Sequence, residues 1–164
     1  MSTPALLELL RTLHREKLTL RQRHVAVARR INSYSANNTY QNVIERDDMH
    51  LSWLEAAITD LGGSVDTVGE PDLPAAGRKE SFMPLVETDA RDAEAFVARW
   101  RPRLDEIGNA RHRGMVNIML GEVLEHRRFF QQIVAGRDDV LGRRSNGPGR
   151  DGTGDGVLPV RWIE

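Results

Sequence analysis

The stretch "VIERDDMHLSWLEAAITDLGG" carries an acid, Asp47, and an imidazole, His50, three residues apart. On a helix that spacing puts both on one side, together with Ile44, Leu51, Leu54, Ile58 and Leu61, and lets an oxygen and a nitrogen address one ion. A second group, "GEVLEHRRFF", places Glu122, Glu125 and His126 within little more than one helical turn, beside Met119 and Phe129. Glu16 lies among the apolar positions of an N-terminal segment, and Glu94 stands near the start of a later one, on the flank of its apolar side. Inward carboxylates without partners cost several kcal/mol each, so a cluster of them needs cations, protons or arginine. A pair of metal ions held by Glu16, Asp47, His50, Glu94, Glu122 and His126 is one answer. Neutralisation by Arg23 or Arg46, leaving a purely structural network, is the other.

The chain contains no cysteine, which excludes thiolate metal sites, iron–sulfur clusters, cysteine nucleophiles and disulfides. Any metal would be held by imidazole and carboxylate. Its 164 residues suit one domain with a real core, 40% hydrophobic and 29% charged, and with aromatics at 5% that core is mainly aliphatic. Lysine is nearly absent and arginine carries the positive charge. A net charge of −1 gives no general attraction to nucleic acid or anionic membrane. The N-terminal "MSTPALLELLRTLHREK" lacks a basic start and is interrupted by Glu8 and Arg11, so it is a poor signal peptide. No later run is long enough to span a membrane, and a cytoplasmic protein is the expectation.

Positioning these side chains requires helices. Thr3-Pro4 can start one, and Leu6, Leu9, Leu13, Leu20, Val27 and Ile31 then recur at three- and four-residue steps, with Glu16 and His24 on that stripe. The polar cluster "NSYSANN", 32–38, is expected to hold a turn. A second helix then runs from about Thr39 to Leu61 and ends at Gly62-Gly63. Residues 64–87, rich in proline and glycine without sustained periodicity, read as a long connection. Thr88 or Asp89 can cap a third helix, with Phe96, Val97, Trp100, Leu104 and Ile107 on its apolar side, kinked or shortened by Pro102. Gly108-Asn109 suits a turn before a fourth helix from about Gly114 to Ala135. Two tight hairpins joined by one long crossover between helices 2 and 3 is the connectivity of ferritin-like bundles.

The same residues carry a family resemblance across roughly Leu6 to Val134. "VIERDDMHLSWLEAAITDLGG" is similar to the second helix of rubrerythrin- and bacterioferritin-related members of the ferritin-like superfamily, where an acid, two spacers and a histidine precede an aliphatic run ending in glycine. The resemblance implies an all-α four-helix bundle with a di-iron or di-manganese centre, supporting dioxygen or peroxide chemistry or ferrous oxidation. Glutamates on helices 1 and 3 complete such a centre, and Glu16 and Glu94 precede His50 and His126 at about the family's distance. Two departures alter the pattern. Asp47 stands where the family has glutamate, and Val123 lies three residues before His126. Either Glu122 reaches His126 from four residues away, or Glu125 takes the histidine's place with Glu122 as the acid.

Plainer roles are available for several of these groups. Asp47 and His50 suit an ion-paired patch at the rim of the core, and Glu122, Glu125 and His126 suit an exposed charged face beside Arg127 and Arg128. His24 reads as a satisfied near-core histidine, and His14 and His112, set among arginines, as solvated. The run "RQRHVAVARR" reads as an ordinary charged face, not a nucleic-acid site. The bundle is expected over residues 1–141, a Gly-rich linker over 142–156, and a short apolar segment, "VLPVRWIE", over 157–164. That segment docks on its own bundle, on another subunit of a homo-oligomer, or on a protein partner. The rival to a metal enzyme is therefore a metal-free ferritin-like module that works through oligomerisation or its C-terminal peptide.

Overall fold

The computed structural model describes residues 1–74 and 81–142, so all but Gly142 of the expected linker at 142–156, and the whole segment 157–164, lie outside the described residues. Four α-helices and no strands form among the described residues: α1 (Thr3–Ala28), α2 (Tyr34–Asp60), α3 (Met83–Trp100) and α4 (Ala110–Val134). Their ends follow local chemistry. The Ser2 hydroxyl accepts from Ala5 N, Ser33 from Ala36 N, and the Asn109 side chain from His112 N, each satisfying a backbone donor that the helix leaves free. α2 stops at Gly62, whose φ of +81° is a left-handed conformation open to glycine, and Gly63 N donates back to Ile58 O. Gly63 also lies against Leu7; a Cβ there would sit 2.4 Å from Leu7 Cδ1.

α1 packs closely on α2 and α3 on α4, with looser contact between α2 and α4 and between α1 and α3. Viewed down the bundle the order around the square is therefore α1, α2, α4, α3. One apolar cluster joins Leu9, Leu10 and Leu13 of α1 to Leu54 and Ile58 of α2, Phe96 and Trp100 of α3, and Val116 and Leu120 of α4. The other joins Val27 and Ala28 to Tyr40 and Val43, Val86, and Phe130 and Ile133. Each end thus collects the start of some helices and the finish of others: α1 and α4 run one way, α2 and α3 the opposite way. The connection after α2 must travel the length of the bundle, and it lies along α1. Arg11 and Arg15 donate to Asp66, Gln22 to Val68 O, Arg29 to Glu70 and Arg30 to Pro74 O, in register along both segments. Among the described residues no helix is long and apolar enough to cross a membrane.

Three helix starts differ from expectation. The polar run 32–38 is mostly helix: α2 begins at Tyr34, because Ser33 caps it and Asn37 Nδ2 donates to Ala28 O at the end of α1. These polar side chains close the hairpin instead of breaking the helix. α3 starts at Met83, well before Thr88, with Pro84 in its first turn where no amide donor is needed. Asp89 is a buried partner and not a cap. α4 starts at Ala110, one residue beyond the Asn109 cap. Pro102 shortens α3, which passes into a 3-10 turn at Arg101–Glu106.

Candidate functional site

Between the two apolar clusters lies a buried polar layer. α1 contributes Lys17 and His24, α2 contributes Asp47 and His50, and α4 contributes His126, all buried. Their positions follow from helical phase: Lys17 stands four residues after Leu13 and three before Leu20, so it points with them into the bundle. The Lys17 ammonium donates to Asp47 Oδ1, with neither side chain exposed to solvent. His24 Nδ1 faces the other oxygen, Asp47 Oδ2, at 2.6 Å. His126 Nδ1 stands 3.9 Å from Asp47 Oδ1.

One step toward the surface, His50 Nε2 contacts Glu122, and Arg46 holds the same carboxylate with both Nε, at 3.2 Å, and Nη2. Glu122 and Arg46 keep 28% and 34% of their side chains exposed, so this pair forms the rim of the layer. The rings of His50 and His126 stack with centroids 6.2 Å apart. His50 Nδ1 is buried without a partner.

The electrostatics follow the geometry. Burial pushes the Asp47 carboxyl up, but Lys17 and His24 outweigh it and hold the group well below its ordinary value, so it is ionised. Burial, reinforced by the nearby Lys17 charge, lowers His50 to about 4 against the pull of Glu122. Burial takes His126 to about 3, with Asp47 opposing. Both imidazoles are neutral at pH 7. Neutral His50 donates through Nε2–H to Glu122, which leaves the lone pair on Nδ1 unmet. Glu122 is raised by burial but lowered more by its bonds to Arg46 and His50, and stays ionised.

Of the six residues proposed from sequence, Asp47, His50, Glu122 and His126 come together in this layer. Glu16 does not face it: Trp100 Nε1 donates to Glu16 Oε2 at 2.6 Å and Arg99 lies 2.8 Å from Oε1. Glu94 is exposed, 3.6 Å from Arg127. Glu125 pairs with Arg128 on the same helix, and Val123 is core. His24 is the satisfied near-core histidine expected. His14 is not solvated; it is buried, with Nε2 3.2 Å from Glu55 of α2. Its phase next to Leu13 carries it inward despite the flanking arginine.

Sequence reasoning missed Lys17, one of only two lysines in the chain, although its place on the Leu13–Leu20 stripe was legible. It weighed Arg46, which does hold Glu122, and Arg23, which serves a different acid. Arg23 Nε donates to the fully buried Asp89 at 2.6 Å, and Tyr40 OH donates to the other oxygen of the same carboxylate. Burial and the adjacent Asp89 charge raise the Tyr40 hydroxyl well above its ordinary value, keeping it a donor.

As a metal site the donor set fits poorly. Both Asp47 oxygens are engaged by Lys17 and His24, Glu122 is held by Arg46, and Glu16 and Glu94 face elsewhere. Among the described residues no group of three or more histidine or acidic side chains is arranged to hold a metal ion. The chain matches no protein-family model, no curated protein and no solved structure.

Proposed function

We propose that this chain is a ferritin-like four-helix bundle whose centre is balanced by an internal lysine where such bundles can carry a metal pair, and that it acts as a structural or interaction module. The helix directions and the crossover laid along α1 support the ferritin-like part of this reading. The observation that carries the metal-free part is the Lys17–Asp47 pair. An ammonium fully enclosed against a fully enclosed carboxylate supplies the positive charge that inward acids require. Arg46 does the same for Glu122 at the rim. With Glu16 and Glu94 turned to other partners, no set of carboxylates among the described residues remains to bridge two cations, so this reading includes no oxidative turnover.

Metal analysis tests it. The full chain, purified without chelators and then incubated anaerobically with ferrous or manganous ion and desalted, should retain far less than one ion per chain. Retention of an ion pair per chain, abolished by Asp47→Ala and by His50→Ala, would overturn the reading and restore a metal centre.

A further inference from the structure

Two of the grooves lined by described residues lie along the helices. One, of about 280 Å³ between α3 and α4, is lined by Glu87, Ala90, Arg91, Gln131 and Val134, of which only Ala90 and Val134 are apolar residues. The other, of about 250 Å³, lies between the C-terminal half of α2 and the N-terminal half of α4 and includes Trp53, Ala56, Asp60, Arg111, His112 and Met115. Met49, 40% exposed, and Ile118, 55% exposed, follow at helical spacing on α2 and α4. The spacing is helical on both sides: positions 49, 53, 56 and 60 of α2 face 111, 115 and 118 of α4. This is the seam where two helices touch loosely.

We propose that this groove seats the chain's own residues 157–164. Three observations argue for that occupant. The first is pattern. "VLPVRWIE" puts Leu158, Val160 and Trp162 on one face if extended, about 13 Å from first to last. The groove floor from Trp53 to Asp60 runs about 10 Å along α2. Pro159 carries no amide hydrogen, so on the outward face of a seated peptide it leaves no donor unmet. The second is charge. Arg111 lies at the groove's end without an ion-pair partner among the described residues, and Glu164, on the same face as Leu158, Val160 and Trp162 in an extended segment, supplies a carboxylate. The third is reach. Residues 143–156 extend to at most about 50 Å. The distance back along α4 from its end to Met115 is about 30 Å. The α3/α4 groove is nearer but has only Ala90 and Val134 to meet a tryptophan. This docking goes beyond the lysine-balanced core and does not rest on it.

The absence of native cysteine gives a direct test in the full chain. Ala56 is exposed, so a cysteine there leaves the core intact. Under dilute conditions with oxidised glutathione, the Ala56→Cys/Val160→Cys protein should close an intrachain disulfide at least about tenfold faster than Ala90→Cys/Val160→Cys, reflecting local concentration in the seat. Adding Trp162→Ala to the first pair should bring its rate down to that of the second. In the single variant Ala56→Cys, maleimide labelling should quicken when Trp162→Ala is added, which reads the same contact without a second cysteine. Equal rates for the two pairs, no disulfide in either, or labelling indifferent to Trp162 would overturn the proposal. Disulfides formed only between chains would also overturn it, because the seat would then hold a second copy's segment.

Discussion

Two fully buried aspartates, Asp47 and Asp89, sit in one bundle and are answered differently. Asp47 meets a lysine with no exposed side-chain surface and an enclosed imidazole. Asp89 meets Arg23, 18% exposed, and the Tyr40 hydroxyl. The first charge is balanced wholly inside, where water cannot take over if the partner is lost. The second is balanced by an arginine whose side chain is itself partly exposed, so solvent reaches the counter-charge. Buried charge alone therefore does not set the stakes; the exposure of the counter-charge does.

Breaking the enclosed pair should cost the most. Lys17→Met keeps an unbranched side chain but leaves Asp47 buried opposite an uncharged thioether. It should lower stability by about 3–5 kcal/mol, because the uncompensated carboxylate keeps its desolvation cost. Urea denaturation at pH 7 reads this directly. The double variant Lys17→Met/Asp47→Asn should recover a large part of the loss; equal destabilisation in the single and double variants would mean that the lysine acts through packing and not through charge.

Acid should attack the same layer next. Both histidines titrate near 6.5 when exposed, but in the fold His50 does so at about 4 and His126 at about 3. From pH 6.5 down toward 4 the unfolded chain therefore binds more protons than the native one, and stability falls as pH falls. The Asp47 carboxylate adds its loss only below its ordinary value of 3.8, since its folded pKa is depressed. Stability should drop by on the order of several kcal/mol between pH 7 and pH 4. The denaturation midpoint followed across that range checks it, and His126→Gln should flatten the slope.

The Asp89 cluster should respond less. Arg23→Met leaves Asp89 with its tyrosine bond and an entry path for water, and should cost about 1–2 kcal/mol; Tyr40→Phe should cost about 1 kcal/mol, one buried hydrogen bond. If Arg23→Met proved as damaging as Lys17→Met, the exposure of the counter-charge would not be what separates the two sites.

Much of this was legible in the sequence, and where it was not the cause is physical. The helix count and the apolar faces came from three- and four-residue spacing, because burial of one stripe is what stabilises each helix. The polar run at 32–38 misled because serine and asparagine serve both turns and caps, and Ser33 and Asn37 do the second. Asp47 and His50 were found because an acid and an imidazole on an apolar stripe are conspicuous. Lys17 sits nearer the centre of its stripe than the neighbouring Glu16, yet a long flexible amine is usually read as solvated. The partner of each acid depends on inter-helix register, which sequence spacing within one helix does not contain. That is why Glu16 looked like a ligand and proved to be a partner of Trp100 and Arg99.

The smallest effect should come from Glu94, which marks the opposite limit of the comparison between enclosed and exposed charge. Its carboxylate stands 3.6 Å from Arg127, with more than half of its side chain in solvent. Water and salt screen such a pair, and holding two long side chains together offsets most of the attraction, so the net contribution is small. Glu94→Gln should change stability by less than about 0.5 kcal/mol and leave the metal content of the reconstituted protein unchanged. Urea denaturation beside metal analysis measures both. A loss of more than about 2 kcal/mol, far above the range for exposed pairs, would place Glu94 in a tighter network than its contacts indicate. A fall in bound iron or manganese would return it to a ligand's role and reopen the reading in which cations, not Lys17, hold the centre of the bundle.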